Sequence, residues 1–333
     1  MKETILVTGG TGFIGSHTTV ELQNAGYEVV IADDLSNSQA DVVDGIEKIT
    51  GIRPAFEKVD LRDFDATEAL FKKYPKISGI IHFAANKAVG ESVEKPLMYY
   101  RNNIISLVNL LELMPKYDVK GIIFSRSCTV YGQPDVLHAT EDSPVKKAES
   151  PYGNTKQINE EIIHDYVRSG APIQSIILRY FNPIGSHPTA IIGEMPNGVP
   201  QNLIPYLTQT AIGIREQLSV FGTAYNTPDG SCIRDYIYVV DLAKAHVCAM
   251  TRIMENQIEE PVESFNIGTG TGTSVLELIN TFEKATGVKL NYKIVGRRPG
   301  DIEKVWGNVD KANKVLGWKA DTPLDEVLAS AWK

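Results

Sequence analysis

Gly9-Gly10-Thr11-Gly12-Phe13-Ile14-Gly15 decides how the rest of this chain is read. The stretch follows the short β-branched run Ile5–Thr8 and precedes Ser16–Ala25, which has helical character, so its glycines sit at a strand–helix junction. Gly9, Gly12 and Gly15 have the G-x-x-G-x-x-G spacing. Glycine there permits a tight turn, close approach of the backbone to a pyrophosphate and close packing of the helix. The N–H groups at the helix N-terminus then face the phosphates. An ordinary turn could carry the same string, and the next acid argues against that. Asp33 ends the run after Glu28–Ala32, 18 residues beyond Gly15, near the spacing of a ribose-binding carboxylate. A carboxylate there accepts from a 2′-hydroxyl and repels a 2′-phosphate, which favours NAD over NADP. Asp34 can share the role.

Outward from this stretch, further apolar runs recur at Ala55–Val59, Gly79–Ala84, Gly121–Phe124 and Ser175–Leu178, with helix-compatible segments between most of them. Helical character is clear from Ser92–Pro96 into Tyr99–Met114 and again from Tyr152 through Val167. The alternation predicts an α/β, Rossmann-type, doubly wound parallel sheet with helices on both faces. After Tyr180 the rhythm breaks into Pro- and Gly-containing segments, which predicts a smaller, irregular C-terminal lobe. The expected division is 1–180 for the dinucleotide domain and 181–333 mainly for the second lobe. The strand-and-helix pattern of Tyr236–Met250 and the short strand Phe265–Gly268 return to the first.

Composition sets the outer bounds. With 333 residues, 43% hydrophobic and 22% charged, the chain has the balance of a globular enzyme, long enough for two lobes. Its net charge of −8 argues against nucleic acid as a partner. Cys128, Cys232 and Cys248 are odd in number and lack C-x-x-C spacing, against both a disulfide framework and a zinc site. The six histidines have no metal-ligand spacing, so no metal is expected. No apolar run approaches the length of a membrane span, and Met1–Gly10 runs directly into a strand and turn, so a cytoplasmic location is expected.

Candidate chemistry lies in the middle of the chain. Gly121–Phe124 opens into Ser-Arg-Ser-Cys-Thr-Val-Tyr-Gly at Ser125–Gly132, and a helix then starts with Ser-Pro-Tyr-Gly-Asn-Thr-Lys at Ser150–Lys156. Tyr152 and Lys156, four residues apart, share one helical face. A phenol with a pKa of about 10 is a poor base at neutral pH. A nearby Lys cation and an oxidised nicotinamide favour its phenolate, and a three-unit shift needs only about 4 kcal/mol. Alone, Tyr-x-x-x-Lys is more often a packed ring beside a solvated amine. After a dinucleotide fingerprint and a Ser-bearing strand end, it reads as an acid/base pair.

At this point the chain resembles the extended short-chain dehydrogenase/reductase superfamily, and within it the UDP-glucose 4-epimerases. The resemblance covers nearly the whole length. It is carried by the glycine loop through His17, by His-Phe-Ala-Ala-Asn-Lys-Ala-Val-Gly-Glu-Ser-Val at His82–Val93, by Pro-Tyr-Gly-Asn-Thr-Lys, by Arg-Tyr-Phe-Asn-Pro-Ile-Gly at Arg179–Gly185, by Ile-Arg-Asp-Tyr-Ile at Ile233–Ile237, and by Arg-Arg-Pro-Gly-Asp at Arg297–Asp301. It implies interconversion of UDP-galactose and UDP-glucose by transient oxidation at C4 with bound NAD. Tyr152 would be the acid/base, Lys156 would hold the nicotinamide ribose and tune Tyr152, and Ser127 would bond the sugar hydroxyl. The cofactor would lie against Gly9, Gly12, Phe13, Ile14, Gly15, Asp33, Asp34, Leu35, Ser36, Asn37, Ser38, Asp60, Leu61, Phe83, Ala84, Ala85, Lys87, Asn102 and Phe181, besides Ser127, Tyr152 and Lys156. The UDP-sugar would meet Ser127, Tyr152, Asn182, Asn202, Leu203, Ser219, Val220, Phe221, Arg234, Arg298, Asp301 and Val305. Forked arginine donors suit a diphosphate, and Asn and Asp suit uridine and sugar hydroxyls. A homodimer is also implied.

The sequence departs from the family pattern in several places. Arg126 stands where the family usually has the middle serine of Ser-Ser-Ser, and strand alternation turns it away from the face that presents Ser127. Asn154, Thr155 and Asp34 also differ from commoner residues. Val305 lies where strict glucose/galactose epimerases tend to carry Tyr, and a smaller residue there is associated with room for a 2-acetamido group. Alternatives remain at this level: a related nucleotide-sugar epimerase, a dehydratase, for which Cys128, Thr129 and Val130 supply no acid, or a non-catalytic NAD-binding regulator.

Overall fold

The structure, a computed structural model, describes residues 3–127, 131, 138–297 and 302–333. The first half alternates strand and helix: β1 (Thr4–Thr8), α1 (Phe13–Asn24), β2 (Glu28–Asp33), α2 (Val42–Thr50), β3 (Ala55–Lys58), α3 (Phe64–Lys73), β4 (Ile77–His82), α4 (Val89–Glu94), α5 (Pro96–Lys116), β5 (Gly121–Ser127), β6 (His138–Ala139), α6 (Pro151–Arg168) and β7 (Gln174–Tyr180). The second half holds β8 (Asn182–Ile184), α7 (Leu203–Ala211), β9 (Leu218–Phe221), β10 (Ile233–Arg234), β11 (Tyr236–Tyr238), α8 (Val239–Met254), β12 (Val262–Ile267), β13 (Thr273–Ser274), α9 (Val275–Thr286), β14 (Tyr292–Val295), β15 (Lys304–Gly307) and α10 (Leu324–Trp332).

Seven strands form one sheet in the order β12-β7-β5-β4-β1-β2-β3, and every pairing in it is parallel. Its central strands are buried on both faces, which is why β1 and β2 read as nearly unbroken apolar runs. Alternation sorts their side chains: Ile5, Val7, Ile31, Ile81 and Ile123 enter one core, whereas Leu6, Val30, Ile80, Ile122 and Phe124 enter the other. The first core is completed by Val20 and Leu22 of α1 and by Leu242, Ala249 and Ile253 of α8. The second is completed by Leu70 of α3, Leu107 and Leu110 of α5 and Ile163 of α6. This is the Rossmann-type arrangement that the alternation predicts.

Strand order reverses between β1 and β4, and the chain leaves β1 and β4 in opposite directions across the sheet. A crevice outside the carboxyl ends of the strands at such a switch point is where this architecture binds ligands. The expected helix from Ser92 onward is two helices, α4 and α5. Lys95 breaks them with φ −128° and ψ 55°, because the residue before a proline is driven out of the helical region and Pro96 then opens α5.

The remaining sheets are small: β13-β10-β15-β6, β11-β8 and β14-β9. Their core gathers Leu207, Val220, Tyr236, Ile279, Phe282 and Leu328. Two later elements belong to the large sheet's layers. β12 pairs with β7, and the side chains of α8 enter the core shared with α1.

Candidate active site

The glycine loop is fixed by contacts that exclude side chains. Gly9 has φ +68°, and a Cβ on it would lie 2.8 Å from the Ala84 nitrogen; a Cβ on Gly15 would lie 2.3 Å from the Gly9 carbonyl oxygen. Gly12 is the N-cap of α1 and supplies no side-chain cap, so the helix terminus keeps its N–H groups for another acceptor. At the end of β2, Asp33 accepts from the Thr11 N–H (3.2 Å), the Leu35 N–H (2.9 Å) and the Ser38 hydroxyl (3.1 Å). Thr11 and Ser38 are joined at 2.7 Å, and Leu35 takes a left-handed φ of 61°. Asp34 accepts from the Ser36 N–H. One carboxylate therefore organises the glycine loop and the 34–38 loop together, with Ser36 and Asn37 at its exposed rim.

Thr8 at the tip of β1 ties the neighbouring strand end. Its hydroxyl meets His82 Nδ1 at 2.8 Å and accepts from the Ala84 N–H, and its carbonyl accepts from the Phe83 N–H. Phe83 packs on His246. Asn103 accepts from the Asn86 N–H and donates to Thr155 of α6, which anchors the loop carrying Ala85 and Lys87. Asn102 donates to Asn103. Asp60 is engaged by Arg62, which holds its carboxyl below the usual range, and Leu61 is buried, its carbonyl accepting from Asn109.

α6 begins where its sequence says it must. Ser150 caps it, accepting from the Gly153 N–H at 3.1 Å, and Pro151 occupies the first turn. Tyr152 therefore falls in the first turn, half-buried, its ring edge-on to Tyr99 at 6.5 Å. Lys156, one turn on, is buried; its ammonium donates to the Ser125 carbonyl at 3.1 Å and lies 4.8 Å from the centre of the Phe124 ring. Ser127 ends β5 in register with Tyr180. In the protein alone burial dominates the electrostatics: the Tyr152 phenol is pushed up to about 12, and the Lys156 ammonium is pushed down to about 8 by burial and then by Arg126. Burial thus works against the phenolate, and nearby positive charge must offset it.

The residues expected at the UDP-sugar follow β7 in the chain. Phe181 is buried with Tyr131, Ala139 and Val305, and a Cβ on Gly307 would lie 2.7 Å from its ring. Asn182 is exposed after β7, and its N–H donates to the Asp235 carbonyl. Arg234 pairs in register with Val305 across β10 and β15. Asn202 caps the backbone of α7 just before Leu203, and its side chain donates to Glu194 at 2.7 Å. On β9, Ser219 and Phe221 flank Val220, which is turned into the core. Arg298 and Asp301 lie outside the described residues. Among the described residues, no three His, Cys, Asp or Glu are grouped to hold a metal.

Sequence reading gave no role to Thr8, Asn103, Glu194 or Glu160. Glu160 alone carried a usable signal, since it lies four residues after Lys156 and so on the same helical face.

A parallel-sheet dinucleotide fold with a serine at one strand end and a Tyr-x-x-x-Lys helix against it is the architecture of a nicotinamide-using enzyme. The chain belongs to the NAD dependent epimerase/dehydratase family, whose model matches residues 5–268. It is 48% identical to "UDP-glucose 4-epimerase 2" of Arabidopsis thaliana, covering 100% of this chain and 95% of that protein. Against the "UDP-glucose 4-epimerase" of Bacillus subtilis (strain 168) identity is also 48%, with 99% and 96% covered. The solved UDP-glucose 4-epimerase of Bifidobacterium longum in complex with NAD+ and UDP superposes with a TM-score of 0.93 at 45% identity, covering 99% of this chain and 97% of that one.

Proposed function

We propose that this chain is a UDP-glucose 4-epimerase, interconverting UDP-galactose and UDP-glucose with NAD retained through the cycle. The observation that carries the reading is the docking of Lys156 onto the strand that ends in Ser127, with Tyr152 one turn earlier on the same helix. The residues present fit NAD. The uncapped N-terminus of α1 suits a pyrophosphate, a Cβ on Gly9 or Gly15 would collide, and Asp33 sits at the second strand's end. The residues assigned to it are those of the glycine loop, Asp33–Ser38, Asp60, Leu61, Phe83–Ala85, Lys87, Asn102 and Phe181.

When bound, NAD supplies the oxidation at C4 and its reversal. Tyr152 takes the proton of the 4-hydroxyl on its phenolic oxygen and returns it on the opposite face. Ser127 donates to the oxygen at C4, and the Lys156 ammonium stabilises the phenolate. Asn182, Asn202, Leu203, Ser219, Val220, Phe221, Arg234, Arg298 and Asp301 would anchor UDP while the hexose turns over between half-reactions. Firm nucleotide contacts with loose sugar contacts suit that requirement. Residues 1–180 with the 236–268 segments would serve the cofactor, and 181–333 mainly the UDP-sugar.

The test is conversion of UDP-galactose by the purified protein with no nicotinamide added and products resolved directly. Turnover supports the reading. No turnover, even after NAD is supplied, overturns it and favours a related nucleotide sugar or the regulator.

A second reading, activity on UDP-N-acetylhexosamines, rests on Val305 as the small side chain packed beside Phe181. Failure of UDP-N-acetylgalactosamine to turn over where UDP-galactose does would exclude it. A homodimer fits the exposed apolar Val89, Val93 and Leu97 along α4 and α5, and light scattering tests it. A cytoplasmic location is part of the same reading, checked by cell fractionation; no helix among the described residues is long and apolar enough to cross a membrane.

A further inference from the structure

Beside Ser127 stands a side chain that the reaction does not call for. Arg126 is 2% exposed and points to α6, where it forms an ion pair with Glu160, one turn beyond Lys156. The same Glu160 carboxylate takes the guanidinium of Arg179 from β7. Arg179 also donates to the Tyr131 hydroxyl and to the Glu141 carbonyl, each at 2.9 Å. Two buried arginines thus share one carboxylate, and Nε and Nη2 of Arg126 have no hydrogen-bond partner among the described residues. Lys156, whose ammonium holds the carbonyl of Ser125 and lies over the ring of Phe124, adds a third cation on the same face of β5 as Arg126. A buried positive charge that its carboxylate does not fully neutralise disfavours a neighbouring cation and favours a neighbouring anion.

We propose that Arg126 is a positioning residue for the acid/base helix: through Glu160 it fixes α6 against β5 beside Ser127, and it sets the surplus of positive charge on the face of β5 where Lys156 docks. The inference rests on the epimerase reading for its effect on turnover, but not for its effect on Lys156 itself. The other ionisable groups around Lys156 have fixed parts. His82 on β4 is pushed down to about 3 by burial and then by Lys156, and His246 on α8, bonded to Ser125, is pushed down to about 4 by burial, so both are neutral. Tyr99 of α5, bonded to Glu91 of α4, and Tyr180 of β7 are pushed upward by burial and stay protonated. Glu160 and Arg179 are committed to each other. Arg126 is then the charge whose removal changes the field at Lys156 without touching a ligand contact.

Removing it frees Lys156 to hold its proton to higher pH, so the alkaline limb of the pH profile moves upward. The experiment compares Arg126→Ser, which restores the residue usual in the family, Arg126→Gln, which keeps length without charge should the serine variant fail to fold, and Arg126→Lys. Holoenzyme kcat/KM for UDP-galactose is measured against pH, and the Lys156 Cε resonance is titrated by NMR with ¹³C-lysine, assigned with Lys156→Arg. In the two neutral variants the alkaline limb and the Lys156 titration are expected to rise by about one pH unit, the effect of losing one like-charged neighbour. KM is expected to be unchanged, and Arg126→Lys to keep the original limb. A limb and a titration that stay in place in the neutral variants, with only a uniform fall in rate, would overturn the proposal. If the unaltered protein does not turn over UDP-galactose, the epimerase reading fails, and the Lys156 titration still decides this one.

Discussion

Replacing Tyr152 by Phe separates catalysis from folding at a single oxygen atom. The ring is half-buried and packs edge-on against Tyr99 at 6.5 Å, and phenylalanine keeps that contact. The backbone carbonyl of Tyr152, which accepts from Thr155 at 2.7 Å, is also untouched. Stability should therefore change by no more than about 1 kcal/mol, the net worth of one hydroxyl's hydrogen bonding. Catalysis should respond differently, because the phenolic oxygen is the only atom assigned to carry the proton of the 4-hydroxyl. Loss of a positioned general acid/base lowers rate by roughly 10²–10⁴, equivalent to about 3–5 kcal/mol of barrier. The assay is UDP-galactose turnover by the holoprotein, with UDP affinity from calorimetry and urea unfolding on the same preparation. The expected result is unchanged UDP affinity, unchanged unfolding and a kcat lower by at least a hundredfold. A variant keeping more than about a tenth of the rate would refute the assignment of Tyr152. A large loss of stability would refute the packing argument instead. A regulator that only senses NAD would keep its function in this variant.

Other consequences follow from the same geometry. Asp33→Ala removes the acceptor of three hydrogen bonds that join the glycine and 34–38 loops, so the purified protein should carry at least tenfold less NAD per chain, read by absorbance after extraction; full retention would show that Asp33 does not hold the ribose. Arg252→Ala leaves Glu263 buried without its two-pronged partner, bonded now at 2.7 and 2.9 Å, and should cost about 3–5 kcal/mol in urea unfolding. His17, His82 and His246 are pushed down to about 4, 3 and 4 by burial, below the unfolded value of 6.5. Their contribution is present above pH 6.5 and lost as pH falls, about 2 kcal/mol each between pH 7 and 5. Asp235, pushed up to about 6 by burial, acts with the opposite sign, its charged form destabilising the fold as pH rises through 6. The net expectation is a loss of about 4 kcal/mol between pH 7 and 5, and stability that rises over that range would contradict it.

The sequence by itself determined those features whose physics is local. A buried parallel strand must be apolar on both faces, so β1, β2, β4, β5 and β7 were legible as runs, and the glycine loop was legible because no other residue fits where Gly9 and Gly15 pack. The Tyr152–Lys156 pair was legible because helical periodicity puts residues four apart on one face. Long-range relations had no such signature. The return of the Phe265–Gly268 strand to the first domain was expected, but its pairing with β7 as the sheet's last strand, and the packing of Val305 beside Phe181, were not, since those contacts are made by elements far apart in the chain. Arg126 illustrates the boundary most directly. Alternation sufficed to turn it away from the face of Ser127, but only the packing of α6 and β7 against β5 decided that it would share Glu160 with Arg179, one turn beyond Lys156 on α6, because the energy of a buried charge depends on every group that folding gathers around it.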